Sequence, residues 1–452
     1  MTQKVKWIAR FSAVALFLFV AVFAASAAGG SDGSLKGMDI VIGNWWGDFD
    51  VNTRKANSDA EEKLIEYRRG IMREHGFKMS EKKIASYEQI QQLAAISTMS
   101  GKPAAQVFVL EPKWVMTLFN RRLLYPVSNS KAVDFNSSVP VEWNKEIIAS
   151  FTFNNRAYAF CIGYGTSQHG SGVFFNKRLL QEAGIKPDAP YEMQRNGTWT
   201  WNNFMDMCKK LTRDTDNNGI IDTYAMTADL SVEVLDAIVA SNGADYIVRD
   251  KIGKFANATN RPEFLQALQF AMRLKTEGVL MPRPEISNWD WYKSVFFDGK
   301  VAMMVGQQYV AQEFREMKDD WGFVLFPKGP NVTNYRYCTD ENVMVIPTTF
   351  SAADVDKILY AVQLWYTPID DDPNAWKDDQ YSIYRDSFAV DETLTMLRNP
   401  KYGSINYHKY IPGLERGDIA WSMWWWEGDP AQLVESVSQA WNALINDTNN
   451  IK

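Results

Sequence analysis

From residue 38 onward, short apolar segments alternate with amphipathic ones, and this alternation leaves few architectures open. "MDIVIGNWW" (38–46), rich in Ile and Val, reads as a strand. Ser58-x-x-Glu61 is a capping box opening a helix with an apolar stripe of Leu64, Ile65, Ile71 and Met72, stopped by Gly76. A second box, Ser86-x-x-Gln89, opens a helix carrying Ile90, Leu93, Ala94 and Ile96. "QVFVL" (106–110) follows as a fully apolar strand of the kind buried in parallel sheets. The pattern continues with strand "VFFN" (173–176), helix "WNNFMDMCKKL" (201–211) and a helix from Pro262 to Gly278. Strands "VAMMVG" (301–306), "GFVLFP" (322–327) and "NVMVIP" (342–347) come next. Ser351-x-x-Asp354 then caps a helix ending before Pro368, and Pro430 introduces the last one. Such order predicts parallel sheets covered by helices on both faces. No internal repeat or low-complexity linker interrupts it, so two α/β lobes joined by crossing strands fit better than separate beads.

The chain opens with Lys4, Lys6 and Arg10 ahead of an apolar run from Phe11 to Ala25 and the small residues Ala25-Ser26-Ala27. This is the form of a secretory signal peptide spanning 1–27 with an A-x-A cleavage site. An uncleaved membrane anchor is the rival reading, but the run is shorter than the ~20 residues a span needs. No cysteine lies near the cleavage site, so a lipid-anchored mature end is not expected. The full chain carries 48 Lys and Arg against 54 Asp and Glu, net −6. Cleavage removes three further cations. That balance argues against a nucleic-acid or anionic-membrane partner, which calls for a basic face.

In open α/β sheets, ligands sit beyond the carboxyl ends of strands. Here those ends are aromatic and polar: "DIVIG" runs into Asn44-Trp45-Trp46-Gly47-Asp48, "QVFVL" into Glu111-Pro112-Lys113-Trp114, and "VAMMVG" into Gln307-Gln308-Tyr309. The chain holds 17 Trp, and residues 421–429 read "WSMWWWEGD". Neighbouring side chains cannot all point inward in a strand or a helix.

Several blocks together resemble the extracellular solute-binding proteins of bacterial carbohydrate ABC importers, the group that includes maltose-binding protein. They are "EQIQQLAAISTMSGKPAAQVFVLEPKWVMTLFNRRLLYPVS" (88–128), "GVFFNKRLLQEAGIKP" (172–187), "TWTWNNFMDMCKKLTRDTDNNGIIDTYAM" (198–226), "FFDGKVAMMVGQQYV" (296–310) and "WGFVLFPKGP" (321–330). One departure is Ala105-Gln106, where the family usually has Pro-Asp. The resemblance implies a two-lobed periplasmic binding protein fold (type II), each lobe a mainly parallel sheet flanked by helices. The hinge would be crossing strands near 157–163, 337–342 and 398–412. An amino-terminal lobe of 36–158 plus 340–400 and a carboxyl-terminal lobe of 160–338 plus 405–452 are then expected. The partners implied are a carbohydrate ligand and the permease subunits of an importer, with the protein a periplasmic monomer that needs no cofactor and catalyses nothing.

A sugar presents C–H faces and a rim of hydroxyls, and an aromatic ring offers a flat apolar platform. A Trp buries ~150–250 Å² in full. A sugar covering a quarter of it gains only ~1–1.5 kcal/mol at ~25 cal/mol/Å². Micromolar binding needs about 8 kcal/mol, so several platforms and polar groups must converge. By position in the matching blocks the candidates are Trp45, Trp46 and Asp48 in the first loop and Glu111 and Trp114 at the third strand's end. Tyr164, Gln168 and His169 lie past the first crossing, Asp340 and Asn342 at the second, Tyr309 after "VAMMVG", and Trp424 or Trp425 in the run before the last helix. Trp289 and Trp291 read as rim residues.

Two further constellations stand out. "DTDNNGIIDTY" sets Asp214, Asp216, Asn218, Gly219 and Asp222 at positions 1, 3, 5, 6 and 9 of a calcium loop, although position 12 is Ala225 instead of the usual Glu. Structural calcium and a metal-free Asx-rich turn both fit. Of the three cysteines, Cys208 lies on the apolar side of a helix. Cys161 and Cys338 fall on the first two crossings, which lie side by side in the resembled family, so a disulfide across the hinge is one expectation for an exported chain.

Two competing classes share these features. A secreted glycoside hydrolase also uses Trp platforms and needs two carboxylates flanking a bond. Asp48, Glu111, Asp340 and Glu427 are candidates, but nothing fixes a pair. A sensory binding protein feeding a membrane receptor would share both fold and site.

Overall fold

The computed structural model describes residues 34–450 except 167–168, 228–230, 286–287, 289, 340, 371, 373 and 426, together with all but the side chains of Ser231 and Trp425. Residues 1–27, expected to be a signal peptide, lie outside the described residues. Among those described, no helix is long and apolar enough to cross a membrane.

The first sheet has four strands in the order Val343–Val345, Val107–Leu110, Asp39–Asn44, Lys78–Lys83. Asp39–Asn44 pairs in parallel with both neighbours, and Val343–Val345 closes the sheet antiparallel on Val107–Leu110. Helix Asp59–His75 crosses between the first two strands. Ser58 caps it by accepting from the Glu61 N–H, and Gly76 ends it in a left-handed turn at φ 70°, a conformation costly for any residue with a Cβ. The second predicted box does not form. Ser86 Oγ donates to Glu88 Oε2 at 2.7 Å, and the helix runs Ile90–Met99 with no side-chain cap.

Strand Lys78–Lys83 ("KMSEKK") carries almost no apolar signal because it is an edge strand. It is held by Glu81, which accepts from Trp365 Nε1 at 3.0 Å and pairs with the Arg68 guanidinium at 3.6 Å. That guanidinium lies over the Trp365 ring, 4.1 Å from its centre. Burial lowers the Arg68 pKa from its ordinary value and Glu81 opposes the shift.

The second sheet departs from expectation. Ser171–Asn176 is its central strand, and both Met303–Gln307 and Trp321–Leu325 pair with it antiparallel, so this three-stranded sheet is antiparallel and not mainly parallel as expected. The reason is physical. All six residues of the central strand are buried, and a strand covered on both faces reads as a continuous apolar run whichever way its neighbours run. A Cβ on Gly322 would overlap the ring of Phe175. The free edge of Trp321–Leu325 is satisfied by side chains: Tyr191 OH accepts from Phe323 N at 2.9 Å, Gln194 Oε1 from Leu325 N at 2.8 Å, and Thr393 Oγ1 donates to Phe323 O at 2.8 Å. Such pairing stops the edge from adding another chain.

The segments expected to cross do lie together. Tyr337–Thr339 pairs in parallel with Gly403–Ile405, and Phe160 bridges Met344. The cysteines on them are free. Cys161 Sγ sits 3.7 Å from the Asn342 carbonyl, while Cys338 Sγ lies 3.8 Å from Asn406 Nδ2. The hinge disulfide expectation is therefore corrected: each thiol faces a polar group of a neighbouring crossing, not the other sulfur.

Candidate functional site

At the end of Asp39–Asn44 the Asn44 side chain builds a turn. Its Oδ1 accepts from Trp46 N at 2.9 Å and Gly47 N at 3.0 Å, and its Nδ2 donates to Gly47 O at 2.8 Å. This Asx turn splays the two tryptophans, leaving Trp45 half-buried and Trp46 55% exposed. Trp45 meets Trp46 at 4.9 Å, Trp114 at 5.1 Å and Tyr87 at 5.9 Å, all edge to face, and Tyr87 meets Trp114 at 4.9 Å. The four rings form one wall. Trp114 is set by helix Pro112–Asn120, whose first residues follow Glu111 at the strand's end.

Glu111 gathers the polar groups along that wall. Its carboxylate accepts from Tyr87 OH at 2.9 Å and pairs with Lys113 at 3.5 Å and Lys409 at 3.8 Å. Lys409 comes from Tyr407–Tyr410, within the segment expected as the last crossing, so one carboxylate ties distant parts of the chain together. Arg416 faces the same space. It pairs with Asp236 and, at 3.5 Å, with Glu233. Burial lowers its pKa, opposed by the Glu233 and Glu111 charges.

These groups line one cleft of about 1700 Å³. Small-molecule pockets run ~300–1,000 Å³, so it has room for more than one sugar ring. Among the sequence candidates, Trp45, Trp46, Glu111, Trp114, His169, Tyr309, Asn342 and Trp424 line it. His169 is held by Glu341, Nδ1 to Oε2 at 3.2 Å, with Asn342 Nδ2 3.4 Å from its other ring nitrogen. Tyr309 is 48% exposed, its ring 6.0 Å from that of His169. Partial burial pushes its phenol pKa up, so it stays a neutral donor.

Other candidates stand apart. Asp48 Oδ1 accepts from Lys83 N at 2.7 Å, away from the cleft lining, because the Asn44 turn points it back to the edge strand. Tyr164 does not line the cleft either. Burial and a hydrogen bond to Glu142 raise its pKa. Gln168, Asp340 and the side chain of Trp425 lie outside the described residues, as does Trp289. Trp424 is only 7% exposed, whereas Trp421, passed over in the sequence, is 53% exposed and lines the cleft. In helix Gly417–Trp425 the buried stripe is Ile419, Ala420, Met423 and Trp424, and Trp421 falls just outside it. Tyr87, Glu233, His408, Lys409 and Arg416 also line the cleft and had no signal beyond residue type.

The model for bacterial extracellular solute-binding proteins matches residues 69–357. The chain belongs to this family. As a solute-binding protein it shares its fold with solved structures of low identity. A cyclic α-maltosyl-1,6-maltose binding protein from Arthrobacter globiformis is 14% identical with a TM-score of 0.64, over 90% of this chain and 99% of that one. UgpB from Mycobacterium tuberculosis, in complex with glycerophosphocholine, is 16% identical with a TM-score of 0.63, over 90% and 98%. An ABC substrate-binding protein from Listeria monocytogenes in complex with cycloalternan is 14% identical with a TM-score of 0.61, over 90% and 99%. No curated protein sequence matches the chain. The solute-binding family and these neighbours are two-lobed binding proteins, not enzymes.

The calcium-loop carboxylates also come together, with one oxygen each of Asp214, Asp216 and Asp222 within 4.8 Å of one another. Asp214 accepts from Asn218 N and Gly219 N, and Asp222 from Thr215 N. This donor set suits a hard, oxygen-preferring cation, lacking only the bidentate Glu. Those hydrogen bonds would also hold the turn without one.

Proposed function

We propose that this solute-binding protein captures a carbohydrate of oligosaccharide size between its lobes and delivers it to the permease subunits of an ABC importer. The observation that carries this reading is the four-ring wall of Trp45, Trp46, Tyr87 and Trp114 joined to Glu111 in one cleft. Rings supply sugar platforms, and Glu111, Lys113, Lys409 and Arg416 supply hydrogen bonds for hydroxyls. The cycloalternan and maltosyl-maltose ligands of two neighbours support the same class. UgpB with glycerophosphocholine marks how far ligands vary on this fold, and the aromatic wall favours the sugar here.

The reading includes an amino-terminal lobe of 36–158 plus 340–400, a carboxyl-terminal lobe of 160–338 plus 405–452, and hinge closure between them. It also includes export with cleavage near Ala27, a periplasmic monomer, and a structural calcium held by Asp214, Asp216, Asn218 and Asp222. The experiment is a thermal-shift and calorimetric screen against neutral oligosaccharides, with scattering for a fall in radius and an assay for new reducing ends. One-to-one binding with compaction and no product is expected. New reducing ends would favour the hydrolase, although of its four candidate carboxylates only Glu111 lines the cleft among the described residues.

A further inference from the structure

Glu341 holds a carboxylate, its side chain only 6% exposed, where the crossing segments meet. Its Oε1 accepts from Thr166 Oγ1 and, at 3.3 Å, from the His169 backbone N–H, and its Oε2 lies 3.2 Å from His169 Nδ1. Thr166 is pinned in turn, its own N–H donating to Leu397 O at 3.0 Å. Burial, then the Glu341 charge, raises the Cys161 thiol and the Tyr337 phenol above their ordinary values. Burial lowers Arg398, and the same charge opposes it. One residue from each expected crossing therefore feels this carboxylate.

An ionised carboxylate can only accept, so the proton shared with the ring belongs to His169 Nδ1. The partner of one ring nitrogen decides the state of the other. In the neutral ring Nε2 is then an acceptor, and Asn342 Nδ2 stands 3.4 Å from it, long for a hydrogen bond. His169 and Asn342 both line the cleft and neither is fully buried, with 21% of the His169 side chain exposed. A lone pair and an N–H side by side match a hydroxyl, which donates and accepts at once.

We propose that Glu341 is a positioning residue of the binding cleft. It fixes His169 as the neutral Nδ1–H tautomer, so that Nε2 and the Asn342 amide together receive one hydroxyl of the guest. The inference rests on the carbohydrate reading above and adds a site to it. Glu341→Gln makes the chemistry explicit. Gln has one acceptor end and one donor end. Its oxygen replaces Oε1 toward Thr166 and the His169 N–H, which turns its NH₂ toward Nδ1. Nδ1 must then accept, the proton moves to Nε2, and a donor replaces the acceptor beside the Asn342 amide.

The test uses the full mature chain with ¹⁵N in its histidine rings. The chain has only three histidines, and His169→Asn assigns the one that matters. Asn also keeps a donor near the place of Nδ1 while removing Nε2. Spectra at about pH 8, above the ordinary value of ~6.5, are expected to show the proton on Nδ1 in wild type and on Nε2 in Glu341→Gln. A merely structural role for Glu341 would not move that proton. Both variants should bind the preferred sugar of maltotriose, cellotriose, xylotriose and chitotriose about tenfold more weakly, one hydrogen bond's worth. A proton on Nε2 in wild type overturns the proposal without any variant. So does a sugar that binds wild type and both variants within about twofold, and in either case sugar binding by wild type leaves the carbohydrate reading standing. If none of the sugars binds wild type, the carbohydrate reading falls and takes the hydroxyl site with it.

Discussion

The indole of Trp421 rests on Gly417, one helical turn earlier, where the missing Cβ leaves space for the ring. A methyl group at Gly417 would stand 3.0 Å from Cε3 and 3.2 Å from Cζ3. One face of the ring is thus backed by the helix, and the other half of its surface is open on the cleft. Gly417→Ala shifts the ring by a few tenths of an ångström, and Trp421→Ala removes it. A stacking platform is worth ~1–1.5 kcal/mol, so Trp421→Ala is expected to weaken ligand binding about tenfold and Gly417→Ala about threefold. Calorimetry on the two variants checks this, with circular dichroism to establish an unchanged fold. Equal affinity in wild type and Trp421→Ala would remove this ring from the site.

Glu111 pairs with two lysines and accepts from Tyr87, whose ring belongs to the aromatic wall. Glu111→Gln keeps the shape and one acceptor but leaves Lys113 and Lys409 facing each other without the charge between them. Affinity for a neutral sugar is expected to fall about tenfold, with most of the loss in the dissociation rate, since a group inside the cleft acts after encounter. Stopped-flow or surface-based kinetics reads the two rates separately. A change confined to association would place Glu111 at the rim.

Much of the site was legible because strand ends in an α/β lobe are where the chain must turn, and a turn rich in Trp, Asn and Gly has little packing purpose. That logic reached Trp45, Trp46, Glu111 and Tyr309. It failed at Asp48, whose neighbour Asn44 closes a turn that sends the carboxylate back to Lys83 N. In the tryptophan run it offered Trp424 or Trp425 and passed over the more exposed Trp421, because nothing local gives the rotational phase of a nine-residue helix. Packing against the last helix, Pro430–Asn449, settles that phase, and those contacts are tertiary. The antiparallel second sheet was hidden for a related reason. A strand buried on both faces carries no alternation, so Ser171–Asn176 reveals its depth and not its neighbours' direction.

Arg68 and Trp365 anchor the polar edge strand from beneath. The guanidinium is 6% exposed, stacked on the indole and paired with a partly exposed Glu81. Arg68→Met keeps some of the volume and strands Glu81, whose remaining solvent contact softens the loss. Stability is expected to drop by about 2–3 kcal/mol, read as a lower urea midpoint with unchanged slope. Ligand affinity should hold, because neither residue lines the cleft. A variant as stable as wild type would mean the pair only balances its own desolvation.

His408 gives the protein a pH dependence of definite sign. Its ring is 3% exposed and packs against Tyr246 at 5.5 Å, with no partner on Nδ1 among the described residues. Burial first, then the charges of Lys409 and Lys113, push its pKa well below the usual 6.5. The folded protein therefore keeps this imidazole neutral while the unfolded chain takes up a proton near pH 6.5. In that window the unfolded state binds more protons, so stability rises with pH and is lost as pH falls below about 6.5. The loss continues at about 1.4 kcal/mol per pH unit until the depressed folded pKa is reached. Urea unfolding of wild type and His408→Phe at pH 7.5, 6.5 and 5.5 isolates the contribution, because every other titrating group is common to both. The gap between them is expected to shift by about 1 kcal/mol in favour of the variant from pH 6.5 to 5.5. A constant gap would mean that this ring is protonated in the folded protein as readily as in the unfolded chain.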